Sequence, residues 1–295
     1  MPETVTHCPL CGNQQNVIFD QREFHGYRVE NRLCSHCGLV YQSPRMTGPE
    51  LDEFYQVRYR EVYQGSQEPS KKDLSVQEAR AEMLVKLFKE VDITAVNRCL
   101  DIGSSSGLLI EKMQEAYRCQ VVGIEPGDGY RIFAERKGLK IYQDLDEVEE
   151  SEEPVFDLIS MIHVLEHLPD PLNFLLRLKR KLLTPNGRLI IEVPNLYAHD
   201  CFEIAHLISF SRQTLAQMVK KAGFRTEFLI THGQPRSQLI PLYISLIASP
   251  ADNLAEQDKF ESENAVRLKR RTGMIHRKII ERLFPQQAWL LEYRG

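Results

Sequence analysis

The rhythm of apolar and polar positions changes along the chain. From Ser75 to Val91, "SVQEARAEMLVKLFKEV" puts Ala79, Met83, Leu84, Leu87 and Phe88 on one face at helical spacing, which predicts a helix. Short apolar runs then alternate with amphipathic ones. "RCLDI" predicts a buried strand and "GLLIEKMQEAY" its helix; "CQVVGIEP" and "GYRIFAERKG" repeat the pair. "LKIYQD" predicts a short third strand and "FDLISMIHVL" a strong fourth, followed by a helix over Pro171 to Leu183. "NGRLIIEVPN" predicts another strand. "SRQTLAQMVKKAGF" predicts a helix with a serine at its N-cap and a glycine at its C-terminal end. "FRTEFLITHG" and "LIPLYISLIAS" predict two strands joined by a turn, which must run antiparallel because a parallel return needs a longer crossover.

This alternation predicts an α/β fold: a Rossmann-like, doubly wound sheet, mostly parallel, with an antiparallel terminal strand. The flanks read differently. Residues 1–45 hold two CxxC pairs and little periodic pattern, and are expected to form a small N-terminal zinc ribbon. Residues 46–90 hold "ELDEFYQVRYREVYQGSQEPSKKD", rich in tyrosine and charge, and predict a helical linker or lid. Residues 91–250 carry the strand–helix alternation. Residues 251–295 hold the basic runs "RLKRR" and "HRK" and predict a helical extension, a solvated amphipathic helix packed on the domain.

Composition narrows the class. The chain has 295 residues, 42% of them apolar and 26% charged, which suits a globular protein with a sizeable core. A net charge of -4 gives no general reason to expect nucleic-acid binding. "MPETVTHCPLCG" lacks the basic and apolar regions of a secretory signal, and no apolar run is long enough to span a bilayer, so a cytoplasmic location is expected.

"HCPLCG" and "LCSHCG" supply Cys8, Cys11, Cys34 and Cys37. Two residues between cysteines let both thiolates meet one tetrahedral ion, and the glycine after each pair lets the backbone turn back. Four thiolates fill the coordination sphere, so the expected zinc is structural. His7 and His36 read as exposed neighbours. Cys99 and Cys119 fall in predicted strands and read as core.

The "LDIGSSSG" turn holds Asp101, Gly103 and Gly107. It lacks the Gly-Lys-Ser/Thr of a P-loop and the G-x-G-x-x-G of a dinucleotide fingerprint. Glu125 ends the second strand, 24 residues after Asp101, where a carboxylate can accept both ribose hydroxyls. A carboxylate at Asp101 would repel a pyrophosphate but welcome an ammonium and a sulfonium. S-adenosylmethionine carries both cations, one ribose and no phosphate, and is the expected cofactor. Its carboxylate can use backbone N–H groups at the following helix start.

"LDIGSSSG", "GIEP", "FDLISMIHVLEHLPDP", "GRLIIEVPN" and "LAQMVKKAGF" together resemble the class I S-adenosylmethionine-dependent methyltransferases. The double CxxC with "GLVYQSPRM" and "ELDEFYQVRY" is similar to a zinc-ribbon subgroup that includes deoxysugar C-methyltransferases and enzymes of polysaccharide and natural-product pathways. The resemblance implies that Asp101, Gly103 and Gly107 hold the methionine part, that Glu125 holds the ribose, and that Asp144 meets the adenine. It implies that Tyr59 and Tyr63 line the substrate.

In open α/β sheets the reacting groups come from loops at the carboxyl ends of the strands. Two such loops carry histidines, whose pKa near neutrality suits a base. "MIHVLEHLPDP" supplies His163, expected beside the cofactor, and Glu166 and His167 one turn later. "YAHDCFEIAHLISFS" supplies His206. In the sugar C-methyltransferases a Glu-His pair precedes a phrase like this one and is implicated in proton removal; here the pair is Ala205-His206. His206 and His167 are the candidate catalytic residues. A lone histidine base favours O-methylation of a small-molecule or saccharide hydroxyl over C-methylation. An RNA methyltransferase that grips RNA with its ribbon is disfavoured by the near-neutral chain and by knuckles with only Arg22, Arg28 and Arg32 between them. A non-catalytic S-adenosylmethionine-binding protein is disfavoured by the intact Asp101 and Glu125.

Overall fold

The computed structural model describes residues 2–59, 62, 65, 68–151, 153–251 and 261–290, with all their side chains but those of Asp52 and Val57. Tyr63 lies outside the described residues.

The predicted alternation forms one seven-stranded sheet. In chain order its strands are β4 (Arg98–Ile102), β5 (Gln120–Ile124), β6 (Lys140–Tyr142), β7 (Phe156–Ile162), β8 (Leu183–Pro194), β10 (Phe224–His232) and β11 (Tyr243–Pro250). In space they run β10-β11-β8-β7-β4-β5-β6. β4 pairs in parallel with β5 and β7, and β7 with β8, while β11 runs antiparallel between β8 and β10. The terminal pair is therefore antiparallel, as its short connection requires.

Strand periodicity sorts the core onto two faces. Cys99, Val121, Leu158, Ile190 and Ile247 share a cluster with Ala81, Leu84 and Phe88 of α2 (Lys71–Glu90) and with Leu109, Ile110 and Met113 of α3 (Leu108–Tyr117). The alternate residues Leu100, Val122, Ile159, Ile191 and Leu246 face the other way. They meet Leu175 and Leu178 of α6 (Pro171–Lys181) and Leu215, Met218 and Val219 of α7 (Arg212–Lys221). The helix starts follow their caps: Ser70 accepts from the Asp73 N–H, Asp170 from Asn173 and Ser211 from Thr214. Two shorter helices, α4 (Asp128–Arg136) and α5 (Leu145–Glu150), flank β6.

The N-terminal part holds more order than its sequence suggested. β1 (Asn16–Phe24), β2 (Tyr27–Cys34) and β3 (Val40–Gln42) form an antiparallel sheet between and beyond the cysteine pairs. Its fourth strand, β9 (Ile208–Ser209), comes from the segment after β8, with Tyr41 opposite Ile208. Leu10, Leu39 and Tyr41 are buried in the same cluster as the central sheet. α1 (Gly48–Glu53) continues through a π-helical turn, Phe54–Arg58. α8 (Val266–Leu283) and the short α9 (Pro285–Ala288) pack on the segment after β8. No helix among the described residues is long and apolar enough to cross a membrane.

Candidate functional site

The strand β4 ends in a turn whose backbone demands its glycines. Gly103 and Gly107 have φ of +76° and +79°, a region L-residues rarely adopt. A methyl on Gly103 would lie 2.5 Å from Val164 Cγ2, and one on Gly107 2.3 Å from Leu139 Cδ1. The Gly103 and Ser104 N–H groups both donate to the Ile124 carbonyl at 2.8 Å, which folds the turn back onto the end of β5. Glu125 follows there. Its Oε2 accepts from the Ser105 N–H at 2.9 Å and its Oε1 from the Gly127 N–H at 3.0 Å. The carboxylate is thus aimed by backbone before any ligand arrives.

Asp101 is buried in β4, with Oδ1 accepting from the Ser160 hydroxyl at 2.7 Å. Burial pushes its pKa from 3.8 up to about 7; the Ser160 hydrogen bond opposes this, and the Glu125 charge adds to it. No basic side chain enters that balance. An anion kept dry beside a second anion is a site for a cation.

Both acids open on one cleft of about 1050 Å³, at the upper end of the usual range for small-molecule sites. Gly103, Ser105, Asp144, His163, His167 and Tyr59 also line it. Asp144 is committed locally: its Oδ1 accepts from the Glu147 N–H at 2.9 Å and caps α5.

His163 follows β7 in the left-handed region, φ +57°. Its Nδ1 lies 3.3 Å from Glu166 Oε1 and its Nε2 3.3 Å from Glu192 Oε1, so it bridges two buried carboxylates. Arg80 Nη1 is 3.6 Å from Glu192, and Ser245 donates its hydroxyl to Glu192 Oε2 at 2.9 Å. Burial raises the Glu192 pKa, but His163, His232 and Arg80 outweigh it and hold the group well below the usual carboxylate range. The sequence reading passed over Glu192 and Arg80. The available signal was an acid inside the apolar strand "LIIEVP".

His167 and His206 come together although they sit in separate loops. Their ring centroids are 4.8 Å apart. His167 Nδ1 stands 2.9 Å from the Ala205 carbonyl and His206 Nδ1 3.0 Å from the Cys201 carbonyl. A carbonyl only accepts, so both rings donate through Nδ1 and each neutral ring keeps its lone pair on Nε2. His167 reaches the cleft, edge-on to Tyr55 and Tyr59 at 5.9 and 6.0 Å. His206 is buried behind it and does not line the cleft. Burial lowers the His167 pKa to about 4, with nearby Glu166 opposing, so the ring is neutral at pH 7. One ligating atom each from Glu166, His167 and His206 lies within 4.8 Å of the others.

The four N-terminal cysteines converge in the same sense. Their sulfurs all lie within 4.8 Å of one another; Cys8 and Cys37 are 3.4 Å apart, and Cys11 and Cys34 3.5 Å. A tetrahedral site with bonds of about 2.3 Å has edges of about 3.8 Å, so the set fits zinc. Gly12 and Gly38 adopt φ of +76° and +80°, as a turn after each pair requires.

Comparisons with known proteins bear on the family and the fold. A family model described as "Methyltransferase domain" matches residues 73–227. The ubiquinone biosynthesis O-methyltransferase of Ruegeria pomeroyi is 37% identical over 105 residues, covering 33% of this chain and 41% of that protein. The mitochondrial ubiquinone biosynthesis O-methyltransferase of Schizosaccharomyces pombe is 28% identical over 120 residues, covering 38% and 43%. The match thus spans less than half the length of either relative. Among solved structures, the 1,6-didemethyltoxoflavin-N1-methyltransferase of Burkholderia thailandensis, with bound S-adenosylhomocysteine, superposes with a TM-score of 0.56 at 17% identity. That match covers 79% of this chain and all of the other. A likeness at that identity speaks for the fold. With the family model covering more than half of its length, this chain belongs to the methyltransferase-domain family, in the class I S-adenosylmethionine-dependent fold.

Proposed function

We propose that this protein transfers the methyl group of S-adenosylmethionine to a hydroxyl of a small-molecule acceptor, a saccharide among the candidates. One observation carries the reading. The dry Asp101 and the amide-aimed Glu125 flank the glycine turn and open on the cleft that His167 lines.

The cofactor supplies a carbon already activated by its sulfonium, so the protein's work is binding, alignment and proton removal. Asp101 holds the ammonium, Gly103 and Gly107 let the backbone approach the methionine part, and Glu125 accepts from the ribose hydroxyls. Asp144 and His163 complete the cofactor's surroundings. His167, neutral at physiological pH, takes the acceptor proton on Nε2. His206 stands behind it and orients it, a positioning role that differs from the direct base role the sequence suggested. Tyr59, which lines the cleft, forms part of the acceptor's wall. The O-methyltransferase names of the curated relatives favour oxygen as the accepting atom. Cys8, Cys11, Cys34 and Cys37 hold a structural zinc that ties the N-terminal sheet together, so residues 1–45 act as a ribbon beside the methyltransferase domain.

Calorimetric titration with S-adenosylmethionine tests the first half. Absence of binding, or unchanged binding in Glu125→Ala, would sink it. Labelled-methyl transfer to a panel of phenols, sugars and sugar nucleotides tests the second. Carbon resonances of an O-methyl group are expected in the product, and a C-methyl product would overturn the choice of atom.

A further inference from the structure

The two faces of α8 follow opposite rules. Its inner face is clamped to the segment after β8. Val266 and Ile280 are buried, Arg270 donates to the Leu196 and His199 carbonyls, and Arg277 donates to the Ala198 carbonyl at 3.1 Å. A methyl on Gly273 would lie 2.0 Å from the Tyr197 carbonyl oxygen, so the helix can sit this close only with glycine there. These contacts set the rotation of the helix and thereby its outer face.

That outer face is apolar. Leu268, Ile275, Ile279 and Leu283 are 49–64% exposed, and their spacing of seven, four and four residues places them in one line along the helix. Phe284, the residue after the helix, is 50% exposed as well. Five of the twelve large hydrophobics exposed among the described residues therefore fall on one short stretch, whereas ordinary surfaces scatter them singly. Basic side chains border the line. Arg271, Lys278 and Arg282 project along one edge and His276 along the other, by helical spacing, while Lys269 turns to Glu263 at 2.8 Å. Glu281, the one acid in the helix, is engaged by Arg277 at 2.9 Å and by the Trp289 indole at 3.1 Å. The helix carries seven Lys and Arg against that single Glu, in a chain of net charge -4.

Charge decides the occupant. A symmetric contact with a second copy would set this basic helix against itself, and like charges repel at close range. An anionic bilayer complements both features at once. The apolar line enters the acyl boundary while the basic borders stay at headgroup level. We propose that α8 docks this protein on an anionic phospholipid surface.

Co-sedimentation of the full-length protein with two kinds of vesicle tests this: phosphatidylcholine alone, and phosphatidylcholine partly replaced by phosphatidylglycerol. Binding is expected to the second kind only, and to weaken as salt rises. Each Lys or Arg near the surface contributes about five-fold in affinity, so Arg271→Glu/Lys278→Glu/Arg282→Glu should weaken binding at least about a hundred-fold. Leu268→Gln/Ile275→Gln/Ile279→Gln should abolish it by removing the inserted face. Both triple variants should melt at the wild-type temperature and keep their S-adenosylmethionine affinity, because every substituted side chain is exposed and none lines the cleft. Equal binding to both vesicles, binding to neither, or wild-type affinity in either triple variant overturns the proposal. A dimer in light scattering that the Leu268→Gln/Ile275→Gln/Ile279→Gln variant dissolves overturns it in favour of a second copy.

Discussion

Asp101 is predicted to weaken the fold that contains it. Its pKa rises from 3.8 to about 7 on folding, chiefly through burial. The folded state therefore binds more protons than the unfolded state between those values, and stability falls as pH rises through the window. Three pKa units correspond to about 4 kcal/mol, the penalty for keeping the carboxylate ionised without a cation. Asp101→Asn keeps the shape, and its side-chain carbonyl can still accept from Ser160, but it never ionises. At pH 8 and without cofactor the variant should be the more stable protein, by up to about 4 kcal/mol or roughly 6 °C in Tm. The advantage should grow by about 1.4 kcal/mol between pH 6 and pH 8, because only the wild type titrates across that interval. Binding should move the opposite way. The wild-type Kd for S-adenosylmethionine should be about ten-fold weaker at pH 6 than at pH 8, since protonating Asp101 removes the partner of the ammonium. The variant should bind weakly at both. Scanning fluorimetry of both proteins at the two pH values, with calorimetry of cofactor binding, reads each quantity. A variant less stable than wild type at pH 8, or one that binds the cofactor as tightly, would refute the reasoning.

Glu125→Gln should cost about ten- to a hundred-fold in cofactor affinity by calorimetry, the usual cost of losing hydrogen bonds to a charged group. It should leave the Ser105 and Gly127 amides partly satisfied. His167→Ala is expected to lower turnover about 10²- to 10⁴-fold with cofactor Kd within about two-fold, and full retained activity would remove it as the base. His206→Ala should give a smaller loss that His206→Gln partly restores, since a side-chain amide can still donate to the Cys201 carbonyl. Purified protein should contain about one zinc per chain by metal analysis, falling to none in Cys8→Ser/Cys37→Ser; metal-free protein that melts normally would defeat the ribbon assignment.

Local patterns were legible in the sequence because neighbours in the chain produce them. The periods of 2 and 3.6 gave the order of strands and helices. The antiparallel end of the sheet followed from the short connection before β11. Asp101, the two glycines and Glu125 were legible as one cluster because they lie at the end of β4, in the turn after it and just past β5, strands that pair side by side. The paired cysteines were readable because two-residue spacing is itself the geometry of a shared ion.

Tertiary structure decided what the chain separates. The segment 16–42 lacked a clear period because its sheet is small and its neighbours cover it, and β9 reached it only through the folding of a distant segment. The sequence ranked His206 and His167 by motif. Packing put His167 at the cleft and His206 behind it, each oriented by a backbone carbonyl that no spacing rule locates. Glu192 acquired its partners from α2, β10, β11 and the turn after β7, four pieces of chain that meet only on the closed sheet. The apolar line of α8 was present in the sequence as an ordinary amphipathic pattern. Which face would stay bare was settled by the fit of Gly273 against Tyr197. Periodicity names the faces of an element, but contacts made across the chain decide which face is covered.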